Sequence, residues 1–98
     1  MTQDRFRTKI PAQFKAGHVS GKGDVRNVSD GGLFVGTLAI PEEGSEVELT
    51  MCEPGKTEIV VHGLVWWTAR VGQSKRCGFG LRLLDEQEDF QRLVDSVR

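Results

Sequence analysis

The sequence predicts an all-β fold, a small six-stranded antiparallel β-barrel closed by one C-terminal amphipathic helix. Three observations carry that prediction. Short runs with apolar residues at every second position recur along the 98 residues. Clusters rich in Gly, Pro, Asn, Asp and Ser separate those runs, and a helical spacing of apolar residues occurs only at the C-terminal end.

Ile10, Ala12, Phe14 and Ala16 alternate with Pro11, Gln13 and Lys15, the period of a half-buried first strand. Its proline sits near the start, where a missing amide donor is tolerated. Gly17 to Gly23 reads as a turn, and a second strand from about Asp24 to Val28 leads into the corner Ser29-Asp30-Gly31-Gly32. Leu33-Phe34-Val35 is a short third strand, and Thr37 to Gly44 is a loop. Val47, Leu49 and Met51 alternate with Glu46, Glu48 and Thr50 in a fourth strand, which ends at the turn Glu53-Pro54-Gly55-Lys56.

The run from Ile59 to Trp67 makes a fifth strand with two apolar faces. Ile59, Val61, Val65 and Trp67 share one face with Gly63; Val60, Leu64 and Trp66 share the other with His62. One face fills the barrel and the other needs a cover. Trp66 is therefore a candidate for contact with a partner, burial under the chain's own helix being the alternative. After a polar loop, Cys77, Phe79, Leu81 and Leu83 alternate with Gly78, Gly80 and Arg82 in a sixth strand, whose outward glycines admit a close approach. Asp85 is placed as the helix N-cap with Glu88 as its capping-box partner, and Phe90, Leu93, Val94 and Val97 form one apolar stripe. The expected organisation is a single domain over 1–98: a basic arm 1–9, a barrel 10–83 and a helix 85–97.

A net charge of −1 gives no global attraction to DNA, RNA or an anionic membrane, so anion binding has to come from a local cluster. Arg5, Arg7 and Lys9 form that cluster, whereas Glu42, Glu43, Glu46 and Glu48, and later Asp85, Glu86, Glu88 and Asp89, are acidic clusters. The N-terminus lacks an apolar stretch of signal-peptide or membrane length, and a cytoplasmic location without membrane insertion is expected. Cys52 and Cys77 stand apart, without CxxC or Cys/His ligand spacing, so neither a disulfide nor a metal site is expected. The protein is expected to be a monomer or a weak homodimer.

No Walker loop, dinucleotide-binding glycine pattern or nucleophile–histidine arrangement is present, and no catalytic residue or cofactor is assigned. A hydrolase built on Ser29 is the enzyme reading, which the absence of ester or phosphodiester turnover would dismiss. What the sequence offers is a binding vocabulary. Arg5, Arg7 and Lys9 precede Asn27-Val28-Ser29-Asp30-Gly31-Gly32, a polar run between apolar ones that asks for a tight corner with exposed amides. Its two glycines suit a turn needing positive φ. Asn27 and Ser29, two apart on a strand, point to one side. In an extended arm Arg5, Arg7 and Lys9 likewise share a face.

Arg5-x-x-x-Lys9 followed by Asn27-x-Ser29-x-x-Gly32, with Gly63-x-Val65-x-Trp67, Gly78-Phe79-Gly80 and a terminal helix, resembles the PilZ domain over nearly the whole chain. That family of small bacterial β-barrels has many members that bind the second messenger cyclic di-GMP. The resemblance implies that Arg5 contacts a guanine or phosphate and that Asn27, Ser29 and Gly32 line the floor, with Gly31 beside them. It also implies a signalling role in motility, biofilm formation or secretion, through a protein effector and an arm that orders over the ligand. Chemistry suits those roles: a guanidinium stacks on a purine and donates two parallel hydrogen bonds to guanine O6/N7 or to a phosphate.

The departure is Lys9, where the family pattern has a second arginine. Lysine brings charge without the planar fork, and losing one bidentate guanine contact costs about 1–3 kcal/mol, roughly ten- to hundred-fold in affinity. Arg7 is a candidate to compensate, the other reading being a solvated charge. Two functions follow: a cyclic di-GMP receptor, or a PilZ-like adaptor that has lost nucleotide binding and acts through protein contacts alone.

Overall fold

The computed structural model describes residues 5–70, 77–85 and 87–97. Six strands and one helix follow one another along the chain: β1 (Phe6–Ala16), β2 (Val19–Ser29), β3 (Gly32–Gly36), β4 (Glu46–Met51), β5 (Ile59–Ala69), β6 (Gly78–Leu83) and α1 (Glu88–Val97). The strands close into a barrel in the order β1-β2-β3-β6-β5-β4, every neighbouring pair antiparallel. This is the fold class expected from the sequence.

Alternation explains the interior. Ile10, Ala12, Phe14 and Ala16 of β1, Val47, Leu49 and Met51 of β4, and Phe79 and Leu81 of β6 are all buried in one core. Phe14 and Phe79 meet edge to face there, ring centroids 5.0 Å apart.

Two boundaries differ from the sequence reading. β1 begins at Phe6, so residues 6–9 of the expected arm are strand, with Phe6 opposite Val28 and Arg7 opposite Asn27. Residues 1–4 of that arm lie outside the described residues. β2 begins at Val19, not Asp24, because the turn is only Gly17-His18. Gly17 has φ +62°, the conformation that a two-residue hairpin turn requires and that glycine adopts freely. Gly21 and Gly23 are strand residues paired with Phe14 and Ala12. At the β4–β5 connection, Gly55 has φ +79° and Lys56 N–H donates to the Glu53 carbonyl at 3.0 Å, the type II turn that Pro-Gly specifies.

The helix plugs one end of the barrel, packing on β1 and β5. Phe90, Leu93 and Val94 are buried there, each burial contributing about 1.5–3 kcal/mol to an element too short to hold itself. Its start also differs from expectation. The Gln87 carbonyl accepts the first helical bond, from Gln91 N–H at 2.9 Å, which puts the cap at Gln87 and leaves Asp85 outside. The Gln87 amide instead clamps β5: its Nε2 donates to the His62 carbonyl at 3.0 Å and its Oε1 accepts from His62 N–H at 3.1 Å. No described helix is long and apolar enough to cross a membrane.

Candidate functional site

The corner expected between the second and third strands is a hairpin closed by the Ser29–Gly32 pair. Ser29 is 7% exposed and its Oγ donates to the Gly32 carbonyl at 3.3 Å. Positive φ is confined among the described residues to Gly17, Gly44 and Gly55, so the corner's glycines serve another purpose than the positive φ expected of them. At Gly32 the purpose is proximity: a Cβ would run into the Leu81 carbonyl oxygen of β6. The Gly31 carbonyl in turn accepts from Leu83 N–H at 3.1 Å, fixing the corner to β6.

A groove of about 330 Å³ opens beside this corner. Arg5, Ser29, Gly31 and Gly32 line it together with Trp66, Trp67 and Arg82, the last paired across the strands with Gly32. Arg5 stands just before β1; its Nη1 donates to Asn27 Oδ1 at 3.4 Å, and its Cζ lies 6.0 Å from the Trp67 ring centroid, at the outer limit of a cation–π contact.

Trp67 is on the outer surface, contrary to the alternation read from the sequence. Val65 pairs with Leu81 and Trp67 with Gly80, leaving Trp66 as the extra residue of a bulge that resets the faces. Trp67 then lies across Gly80 and stacks on Phe34, centroids 5.0 Å apart and planes 19° from parallel. Gly80 pairs with both Phe34 and Trp67, and a Cβ there would fall inside the indole. The close approach that the outward glycines of β6 announce is therefore made by the chain's own aromatic rings.

Trp66 is 62% exposed. The reading that α1 covers it is overturned, because the helix uses its apolar stripe on the barrel end near Ile10, Met51 and Ile59. The Arg82 guanidinium lies 4.8 Å from the Trp66 ring centroid.

Arg7, Lys9 and Asn27 do not line that groove. With Arg26 and Asp24 they border a second concavity of about 570 Å³, which Asn27 joins to the first through its bond to Arg5. Two register shifts produce this separation. One falls between Arg7 and Ile10, where Thr8 Oγ1 donates to the Val25 carbonyl at 2.7 Å. The other falls between Val25 and Asn27, so that Val25 and Val28 both reach the core while Arg26 and Asn27 stay at the surface between them.

The Ser29 hydroxyl donates to the Gly32 carbonyl, a bond that holds the hairpin, whereas nucleophilic attack needs a base to take that proton. His62 Nε2 is 3.3 Å from Glu48 Oε2 on the outer surface. No group of three or more His, Cys, Asp or Glu side chains among the described residues is disposed to hold a metal, and Cys52 and Cys77 are not joined in a disulfide.

The family model of the PilZ domain matches residues 2–98. The chain belongs to the PilZ domain family. Two solved structures share its fold. An inhibitor of motility from Bacillus subtilis (MotI/DgrA) superposes with a TM-score of 0.76 at 16% identity, over 99% of this chain and 49% of its own. The present chain thus spans about half the length of that protein. The PilZ domain of CeSA from a cellulose-synthesizing bacterium superposes at 0.65 with 19% identity, over 96% of this chain and 94% of its own. No curated protein matches the sequence significantly. At these identities the two neighbours speak to fold alone. In this PilZ domain the Asn27-x-Ser29-x-x-Gly32 corner and Arg5 come together, Lys9 and Arg7 lie to one side, and Phe34, Trp67, Gly80 and Arg82 complete the surface. Trp67 and Gly80 belong to the Gly63-x-Val65-x-Trp67 and Gly78-Phe79-Gly80 motifs, whereas Phe34 and Arg82 stand outside the motifs singled out in the sequence.

Proposed function

We propose that this PilZ domain is a cyclic di-GMP receptor that passes the signal to a protein partner. One observation carries the reading: Ser29 and Gly32 of the Asn27-x-Ser29-x-x-Gly32 corner line an open groove together with Arg5, which is bonded to Asn27 and directed over Trp67. That groove combines what a purine dinucleotide requires, a guanidinium, backbone amides and aromatic planes. Its volume lies at the small end of the range for ligand sites, about 300–1,000 Å³, and its open mouth leaves the rest of a larger ligand in solvent. Because Phe6–Lys9 already belong to β1, the arm responds through the side chains of Arg5, Arg7 and Lys9 and through the residues before them, and its strand backbone stays in place. A motility, biofilm or secretion component is the class of partner this reading implies.

Calorimetric titration of cyclic di-GMP into the wild type, Arg5→Ala and Lys9→Arg tests it. Saturable binding that Arg5→Ala abolishes and Lys9→Arg strengthens is the expected result. Wild-type silence with binding by Lys9→Arg favours the second reading, an adaptor with a detuned pocket. An exposed apolar set on the outer surface, Val60 at 46%, Trp66 at 62% and Leu84 at 47%, supports that second reading. Silence from all three proteins refutes the receptor.

A further inference from the structure

Beside Arg5, Ser29, Gly31 and Gly32, the groove is lined by a second pairing of a cation with an indole. Trp66 is the unpaired residue of the β5 bulge, and its ring is 62% exposed. A monomer gains most from a tryptophan by burying it, so an indole left exposed at a bulge calls for a reason. Arg82 supplies part of one. Its Cζ is 4.8 Å from the Trp66 centroid, and its guanidinium makes no hydrogen bond or ion pair with any described residue. The ring holds the guanidinium by its face, and the N–H donors in the guanidinium plane are left for whatever enters the groove.

Both residues line the same groove as Arg5 and Trp67. Planar, negatively charged ligands are the chemistry that two such pairs recognise, because an aromatic face takes a base and a guanidinium takes either a base edge or a phosphate. We propose that Trp66 and Arg82 form a base-stacking platform that holds one purine of the dinucleotide. Arg82 supplies there the planar contact that Lys9, in the neighbouring concavity, does not. This inference rests on the cyclic di-GMP reading and adds to it a part of the site that lies outside the Arg5 and Asn27/Ser29/Gly32 motifs.

The test is calorimetric titration of cyclic di-GMP into the wild type, Arg5→Ala, Trp66→Ala, Trp66→Phe and Arg82→Ala, with a thermal melt of each protein. Both platform side chains are exposed, so the variants keep the fold. Loss of a stacked base predicts that Trp66→Ala weakens binding by about 5- to 150-fold. Trp66→Phe, which keeps a ring, retains most of the affinity, and Arg82→Ala weakens binding and makes it less sensitive to salt. Wild-type affinity in Trp66→Ala, alongside loss in Arg5→Ala, overturns the platform while the receptor stands, and returns the exposed indole to a protein partner. Absence of binding by the wild type overturns the receptor and the platform together.

Discussion

Gly80→Ala is the substitution that bears most directly on how the groove is built. A Cβ at position 80 would lie 2.6 Å from Trp67 Cε2 and 2.7 Å from Cδ1, inside the indole. The ring cannot move aside without cost, because Phe34 stacks on it at 5.0 Å and itself packs against Gly78. Overpacking of this kind costs about 1–3 kcal/mol, and loss of the aromatic pair adds about 0.5–1.5 kcal/mol. The expected destabilisation is therefore about 1.5–4.5 kcal/mol, a fall of roughly 6 °C or more in the melting midpoint of a domain this size. Urea unfolding of the wild type, Gly80→Ala, Trp67→Ala and the double variant measures it. Once the indole is removed the new methyl has room, so Gly80→Ala should cost almost nothing in the Trp67→Ala background, a coupling of at least about 1 kcal/mol. An equal cost in the two backgrounds would refute the reasoning, since the glycine would then be needed for something other than the ring.

Two further substitutions address how α1 is held. Phe90→Ala removes a side chain that is 1% exposed at the barrel end, with an expected loss of about 3–5 kcal/mol; a loss under about 1 kcal/mol in denaturant unfolding would show that the helix is not part of the core. Gln87→Ala removes the two bonds to the His62 backbone. It should cost about 0.5–1.5 kcal/mol and speed hydrogen exchange at the His62 amide, and unchanged exchange there would rule out the clamp.

What the sequence discloses and what it hides divide along physical lines. β4 shows strict alternation from Glu46 to Met51, and its burial follows suit, exposed then buried in turn. Alternation fails where a bulge resets it. Val25 and Val28 are three apart and both in the core, and Trp67 lies outside although it shares parity with Val65. A bulge depends on the partner strand, which is far away in sequence, and no local pattern announces it. β2 was obscured for a different reason: Gly21 and Gly23 resemble turn residues, yet Phe14 reaches over the first and the Gly36 carbonyl lies against the second. The turn itself is only Gly17-His18, where the sequence reading spread it from Gly17 to Gly23. The helix start was misplaced because Asp85 is a good cap by type, while the side chain of Gln87 is committed to β5. The Ser29–Gly32 part of the groove is contiguous in sequence and could be read, and Arg5 was read with it. Trp66 and Trp67 were singled out on β5, but that they meet Arg82 and Phe34 depends on pairing between strands distant in sequence and could not be read.

The position of Lys9 gives the arginine-to-lysine departure a geometric meaning under the receptor reading. Arg5 and Lys9 border different concavities, and Asn27, bonded to Arg5 while lining the cavity of Lys9, stands between them. A lysine beside the groove still contributes charge, since the screening length at physiological ionic strength is about 8 Å. What it lacks is a planar fork, and that matters only to a ligand extending past Asn27. The gain from Lys9→Arg therefore reports where the ligand lies. A gain of about ten- to hundred-fold, the value of one bidentate contact, means that the dinucleotide straddles Asn27 and occupies both concavities. A gain of less than about threefold means that it stays among Arg5, Trp67, Trp66 and Arg82, where lysine at position 9 costs little and needs no compensation from Arg7.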